Sequence, residues 1–488
     1  MRILLVIPSR AYADAPGYTK FPDELLSIAA VLEEHGHQLR IHDQNLKRCQ
    51  ARDFLDFKPQ LVGFSVGTGP NIADASQMSA DFKNILPGTK VVWGFRHPTS
   101  FPRQVLAETF VDYVVMGPGE YTTRELAQHI QDGSIPLADI KGLAYKENGT
   151  IINPSRPFPK SLDELPDPAW HLIDPKQYMD VTLNTSRGCP LRCTFCCDFK
   201  FYKGTMSDLS AARIVEQMEK LHRTYNINNI YLSGERFALN RKRLREFCDL
   251  MLQKKLKIKW NCPVSCGLEE EDVELMSRSG CNTVLLEIES GSQRMLDFLN
   301  KGTVAEMKKT FWLLVKHRII PTIFVYYDIP TEKVADFKAT LEMLEKLDKP
   351  PYLYMKFVPY PDTEVFDYCA ERGIISMPQK LSEWAAFPLK VSTELRLSEV
   401  PQKMMNEAMA NYRKTYIAHR IRFTMRHNPR FFWTIFSNPP EFFKAMRALV
   451  HYYLDIVFDV TNGPESILSR FRRRIGRKRL LVTHNSKT

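Results

Sequence analysis

Short β-branched runs alternate with amphipathic stretches through the first 135 residues. Ile3–Ile7, Leu61–Ser65, Val91–Trp93 and Tyr113–Met116 read as strands, while 24–35, 71–85 and 120–131 carry the helical period. Strands alternating with helices imply a parallel sheet covered on both faces, with ligands bound beyond the carboxyl ends of its strands. The pattern resumes further on, with strands predicted over 181–185, 228–233, 258–263, 283–289, 321–327 and 353–358. Six such units fall short of the eight in a closed TIM barrel, so an open, partial barrel is expected. Glu147-Asn148-Gly149 marks a hairpin between the two series, and the prolines from Pro154 to Pro175 mark a wrapping linker. After about 375 the period turns helical and aromatic. The expected organisation is therefore a doubly wound α/β domain over 1–135, a hairpin and linker over 136–180, a partial (β/α)6 barrel over 181–375, and a helical, aromatic and basic region over 376–488.

Composition narrows the class. The 488 residues suffice for two to four compact units, and 44% hydrophobic with 25% charged excludes a disordered chain. No run of about eighteen uncharged apolar residues occurs, and Met1 to Pro8 is too short and wrongly flanked for a secretory signal, so a cytoplasmic location is expected. The formal charge is +11, and residues 416–488 hold fourteen Lys/Arg against four Asp/Glu. The body is thus near neutral, which argues against a protein wrapped by nucleic acid and for one basic appendage facing something anionic.

Ten cysteines are too sparse for a disulfide scaffold, yet four fall between Cys189 and Cys197. They lie in Thr185-Ser186-Arg187-Gly188-Cys189-Pro190-Leu191-Arg192-Cys193-Thr194-Phe195-Cys196-Cys197, directly after the first strand of the second series. Thiolates at Cys189, Cys193 and Cys196 can ligate three irons of a 4Fe–4S cluster and leave the fourth open for chemistry. A zinc knuckle, a Cys-x-x-Cys redox pair and buried thiols are the plainer readings; no second ligand pair sits at zinc spacing.

This spacing, with an aromatic before the last cysteine, resembles the radical S-adenosylmethionine (SAM) superfamily. The resemblance implies that Cys189, Cys193 and Cys196 hold the cluster, whose open iron chelates SAM and cleaves it to a 5′-deoxyadenosyl radical. Cys197 falls outside the pattern and reads as a packed thiol. Ser233-Gly234-Glu235 resembles the family's Gly-Gly-Glu, whose carboxylate receives the SAM ammonium, and Ile288-Glu289-Ser290-Gly291-Ser292 is similar to the cobalamin-dependent branch's approach to the SAM ribose. Pro359-Tyr360-Pro361-Asp362-Thr363 and Asp328-Ile329-Pro330-Thr331-Glu332 resemble further segments of that branch with glycines replaced.

The doubly wound domain ahead of the barrel looks like that branch's cobalamin-binding domain. Ser65, Gly67, Gly94, Gly117, Gly119 and Glu120 match the positions where the resemblance places the cofactor. The Asp-x-His-x-x-Gly motif that gives cobalt a histidine is absent. Phe95 stands at the family's second glycine and adds bulk where the nucleotide tail threads, and His97 reads as a solvated or structural loop histidine.

The resemblance, to the cobalamin-binding-domain radical SAM family, implies a methyltransferase acting on an unactivated carbon, since such C–H bonds offer no acid or base handle. Relatives include the anaerobic magnesium-protoporphyrin ester cyclase and the bacteriochlorophyllide and hopanoid methylases. The expected cofactors are a 4Fe–4S cluster, SAM and cobalamin, and the expected partners are a small apolar substrate and a flavodoxin- or ferredoxin-type electron donor, with no nucleic acid. Phe431-Phe432-Trp433 and Phe442-Phe443, followed by Arg472-Arg473-Arg474 and Arg477-Lys478-Arg479, suit a membrane surface with anionic lipid; a helical cap with a solvated basic end is the plainer alternative. A radical SAM cyclase, oxidase or dehydratase without methyl transfer, and a non-catalytic cobalamin or iron–sulfur sensor, are the competing functions.

Overall fold

A computed structural model describes residues 1–10, 20–234 and 237–430. The first sheet has seven strands: β1 (Arg2–Ile7), β2 (Gln38–Asp43), β3 (Leu61–Ser65), β4 (Lys90–Gly94), β5 (Tyr113–Val115), β6 (Leu143–Lys146) and β7 (Thr150–Ile152). Their order is β2-β1-β3-β4-β5-β6-β7. The first five run parallel in the doubly wound 2-1-3-4-5 order, whose switch point lies between β1 and β3. The Asn148-Gly149 hairpin forms and adds β6 antiparallel to β5 and β7 antiparallel to β6. Strand β2 was not among the predicted strands: it lies at the edge, and its half-polar run Gln-Leu-Arg-Ile-His-Asp lacks the apolar burst of a central strand.

Helices α1 (Asp23–Glu34), α2 (Asn71–Ile85), α3 (Arg96–Ser100), α4 (Pro102–Ala107) and α5 (Gly119–Asp132) cover this sheet. Helix α5 stops at Gly133, whose φ of 72° supplies the left-handed cap that a side chain would resist.

The second sheet takes β8 (Val181–Asn184), β11 (Asn229–Ser233), β12 (Lys259–Val264), β13 (Cys281–Glu289), β14 (Ile320–Tyr327) and β15 (Tyr352–Lys356), with neighbours in sequence paired in parallel throughout. It is the six-stranded partial barrel, with strand limits within two residues of the predicted ones. A two-residue antiparallel pair, β9 (Ser186–Arg187) with β10 (Ser207–Asp208), closes the long loop between them that carries the cysteines.

Helices α6 (Asp198–Phe201), α7 (Ala211–Tyr225), α8 (Arg241–Gln253), α9 (Glu270–Arg278), α10 (Gln293–Phe298), α11 (Val304–Lys316), α12 (Val334–Lys346) and α13 (Glu364–Glu371) accompany the barrel. Their starts are written in the sequence: Ser210 accepts from the Arg213 N–H to cap α7, and Thr303 with Glu306 forms a capping box on α11.

Helices α14 (Leu381–Glu394) and α15 (Gln402–His427) follow. Trp384 of α14 packs at 4.6 Å on Phe101, and its indole N–H donates to Gln104 at 2.9 Å. One hydrophobic core thereby takes residues from the first sheet, the barrel and α14, including Trp93, Val105, Leu299, Phe357 and Trp384. Among the described residues no helix is long and apolar enough to cross a membrane. The aromatic and basic run after Arg430 lies outside the described residues.

Candidate active site

Two cavities open beside the loop between β9 and β10. The first, about 760 Å³ and open to solvent, begins at the β1/β3 switch point. Leu5, Gly63 and Val92 of the sheet and Leu25, Ile28, Gly119 and Thr123 of α1 and α5 form its deep end. Small residues hold this slot open. A Cβ on Gly63 would stand 3.0 Å from Leu5 Cδ2, and one on Gly119 would stand 2.8 Å from Ile28 Cδ1.

Ser65, Gly94, Gly117, Gly119 and Glu120 all line this cleft; Gly67 does not, and a Cβ on it would stand 3.5 Å from Asn71 Oδ1 and 3.9 Å from Phe95 Cε1. Gly63 was not singled out in the sequence, although a glycine inside a strand is the signal that could have found it. Phe95 has φ 83° and ψ −158°, a region natural to glycine, and itself lines the cleft. His97 is fully buried against Phe101 at 5.2 Å and Trp384 at 5.6 Å, and does not line the cleft.

Other lining residues come from outside the first sheet and its helices: Phe158 from the linker, and Arg187, Phe201 and Tyr202 from the cysteine loop. Arg187 pairs with Glu120 at 2.7 Å, and the Ser27 hydroxyl donates to the same carboxylate at 2.7 Å. Burial opposes the charge on Glu120, but Arg187 and Ser27 hold its carboxyl below the usual range. On the other side of the loop, Arg96 reaches from the end of β4 to Asp198 at 2.5 Å and to the Cys197 sulfur at 3.0 Å.

The second cavity, about 910 Å³, lies at the carboxyl ends of the barrel strands. Cys189, Cys193 and Cys196 line it together with Phe195, Leu285, Glu287, Glu289, Lys301, Phe324 and Tyr326. Burial pushes the Cys193 thiol up to about 11, and raises Cys196 as well, so metal binding here releases protons at neutral pH. Among the described residues no three His, Cys, Asp or Glu side chains converge on a single-ion site. The three thiols line one cavity.

Glu289 lies at φ 67° beside a break in the β13/β14 register and is buried. Lys301 stands 3.2 Å from Glu289 and 3.4 Å from Glu287. Burial pushes Glu289 up to about 7, with Glu287 adding like charge. Burial works against the Lys301 ammonium too, yet the two carboxylates carry its pKa above the ordinary lysine value. Lys301, Glu287 and Tyr326 were not singled out in the sequence, because they reach the cavity from a loop after α10 and from inward positions of β13 and β14 that carry no motif.

Other sequence-selected residues lie around this cavity without lining it. Ser233 closes β11, its carbonyl accepting from Thr185 N–H at 2.8 Å and Thr185 hydroxyl at 2.7 Å. Gly234, at φ 123°, passes so close to the loop that a Cβ would meet Ser186 Oγ at 2.3 Å. Ser290 is buried and hydrogen-bonded to Thr340 at 3.1 Å, beside α12. Glu235 lies outside the described residues.

The radical SAM superfamily model matches residues 183–344, and the B12 binding domain model matches residues 10–127. The chain belongs to the cobalamin-binding radical SAM family. Over 440 residues this radical SAM enzyme is 29% identical to an uncharacterized methyltransferase of Pyrococcus horikoshii, covering 86% of this chain and 93% of that one. It is 24% identical over 440 residues to the anaerobic magnesium-protoporphyrin IX monomethyl ester cyclase of Rubrivivax gelatinosus, covering 86% and 78%.

Solved structures share the fold. The radical SAM methyltransferase TsrM from Kitasatospora setae, with cobalamin and a 4Fe–4S cluster bound, matches at a TM-score of 0.66 and 17% identity over 79% of this chain and 81% of that one. The cobalamin-dependent radical SAM enzyme OxsB, with aqua-cobalamin and SAM bound, matches at 0.69 and 18% over 97% and 75%. The two modules call for a 4Fe–4S cluster with SAM in the barrel and cobalamin on the first sheet. The glycine-held slot and the cavity lined by three thiols fit those groups.

Proposed function

We propose that this enzyme is a C-methyltransferase that transfers a methyl group from cobalamin to an unactivated carbon of a hydrophobic biosynthetic intermediate. A tetrapyrrole of the bacteriochlorophyll-precursor type or an isoprenoid lipid is the favoured substrate. One observation carries the reading: the run from Arg187 to Tyr202 walls both cavities, giving Arg187, Phe201 and Tyr202 to the first and three cysteines to the second.

In this reading Cys189, Cys193 and Cys196 hold the cluster, and Ser233, Gly234, Glu235, Glu289 and Ser290 belong to the SAM site. Ser65, Gly67, Gly94, Gly117, Gly119 and Glu120 form the cobalamin site. When bound, cluster and SAM supply a 5′-deoxyadenosyl radical, and methylcobalamin supplies the methyl group. The chain's own part is to hold these sites against one loop and to keep water from a reactive centre. Leu191, Phe195, Ala238, Leu239, Val264, Leu285, Phe324 and Tyr326 give the barrel cavity an apolar wall that supports an apolar substrate. The relative named for a magnesium-protoporphyrin ester supports the tetrapyrrole class. The basic, aromatic tail supports residence at an anionic membrane surface.

The test is anaerobic assay of reconstituted, cobalamin-loaded protein with candidate substrates. Product heavier by one CH₂, with S-adenosylhomocysteine and 5′-deoxyadenosine both released, is the expected result. Release of 5′-deoxyadenosine without added CH₂ would favour cyclisation or oxidation, the second reading, which the ester-cyclase relative supports. No SAM cleavage under strong reductant would leave the sensor.

A further inference from the structure

Charge is unevenly placed around the barrel cavity. Of the described residues lining it, Asp198, Glu287 and Glu289 are acidic and Lys301 alone is basic. Lys301 is committed to the other two carboxylates, 3.2 Å from Glu289 and 3.4 Å from Glu287. Asp198, two residues after Cys196, is balanced instead by a cation that does not line the cavity and belongs to the first domain. Arg96 opens α3 just beyond the end of β4, and its Nη2 stands 2.5 Å from Asp198 Oδ1.

The Arg96 guanidinium is held on every side. While Nη2 meets Asp198, Nη1 donates to the Cys197 sulfur at 3.0 Å. Its central carbon lies 5.0 Å from the centre of the Phe201 ring and 5.6 Å from that of Phe95. Burial works against the positive charge, and the Asp198 carboxylate more than offsets it. Phe95 and Phe201 line the first cavity and Asp198 lines the second, so this one side chain stands between the two. A lysine ammonium, a single point of charge, could not reproduce the fork that serves carboxylate and sulfur together.

We infer that Arg96 is a positioning residue that acts through Asp198: it cancels a negative charge in the cluster's cavity and so sets the potential at which the cluster accepts its electron. The inference rests on the cluster assignment proposed above. Three thiolates leave a 4Fe–4S cluster anionic, and one-electron reduction adds a further negative charge. The net charge around such a cluster is one of the quantities that fix its potential. A bare carboxylate in a half-buried cavity opposes the incoming electron, whereas a carboxylate paired with a guanidinium does so far less. Control of the reduction thereby falls to a residue of the first domain.

The experiment is a redox titration of the cluster-loaded full chain without SAM or cobalamin, the reduced cluster being read by its electron paramagnetic resonance signal. Arg96→Met bares the Asp198 charge and should lower the midpoint, so that at the wild-type midpoint the ratio of reduced to oxidised cluster falls about tenfold. Asp198→Asn leaves the guanidinium unbalanced and should move the ratio the opposite way by a similar factor. Arg96→Met combined with Asp198→Asn restores the balance of charge and should return the ratio to within about twofold of wild type. Arg96→Lys, which keeps the charge without the fork, should fall between wild type and Arg96→Met. A purely structural contact has no reason to give single variants of opposite sign that cancel in the double. Shifts of the same sign in the two single variants, or an Arg96→Met midpoint equal to wild type, would overturn the role. Iron loss in the double variant would overturn it too, since the pair would then be a support of the loop. A wild-type chain that assembles no cluster would instead strike at the cluster assignment.

Discussion

Arg187 and Glu120 meet at 2.7 Å across the boundary between the two sheets, one two residues before Cys189, the other at the start of α5 on the cobalamin side. Both side chains are nearly buried, at 11% and 4% exposure. Removing one member of such a pair leaves an uncompensated charge and costs about 3–5 kcal/mol, whereas removing both costs much less. Glu120→Gln should therefore lower the unfolding midpoint markedly, and Arg187→Met combined with Glu120→Gln should recover most of the loss. Additive losses in thermal unfolding of the double variant would mean that the pair is not coupled.

The four clustered cysteines divide by their surroundings. Cys189, Cys193 and Cys196 line the barrel cavity, whereas Cys197 does not and is held instead by Arg96 at 3.0 Å. Cys193→Ala should abolish SAM cleavage and lower iron content while cobalt content is kept, because the cobalamin slot lies on another sheet. Cys197→Ser should retain full iron and sulfide. Iron and acid-labile sulfide analysis after anaerobic reconstitution decides both, and iron loss in the Cys197 variant would require a different ligand set.

Much of this was legible because it was written locally. The run Ile3–Ile7, buried throughout, could only be a central strand, and the cysteine spacing stood out without any contact information. What could not be read depends on distance. Lys301 joins Glu289 only because α10 returns the chain to the barrel mouth, and no periodicity encodes that ion pair. Phe158 and Phe201 reach the first cavity from segments far from the first sheet in sequence. Phe95 illustrates the opposite limit: its bulk was plain in the sequence, whereas the positive φ of 83° at which it lines the cleft was not. Side-chain volume was visible in the sequence; side-chain direction was not.

Gly63 tests that slot directly. It sits within β3 with ordinary strand geometry, so larger residues are barred by neighbours rather than by backbone strain. A Cβ would stand 3.0 Å from Leu5 Cδ2 and 3.5 Å from Val92 Cγ1, and the branches of a valine would project into the cavity. Gly63→Val should weaken cobalamin binding at least tenfold, about 1.4 kcal/mol, with Gly63→Ala intermediate. Iron content should stay at the wild-type level. Unaltered cobalt retention in the valine variant would show that the nucleotide tail lies elsewhere.

His97 predicts how the first sheet and α14 respond to acid. It is fully buried between Phe101 and Trp384, with Thr68 Oγ1 at 3.2 Å from Nδ1, and Nε2 has no hydrogen-bond partner. Burial alone pushes its pKa down to about 3, against an unfolded value near 6.5. The sign follows from proton counts: between those values the unfolded chain binds a proton that the folded chain refuses, so stability falls as pH falls below about 6.5. By pH 5 this one residue should cost about 2 kcal/mol relative to neutral pH. His97→Phe keeps a ring between Phe101 and Trp384 but has nothing to protonate. Whatever the substitution does at pH 7.5, the variant should gain about 2 kcal/mol on wild type when both are unfolded in urea at pH 5. Parallel pH dependences for the two proteins would show that His97 is protonated without opening this core.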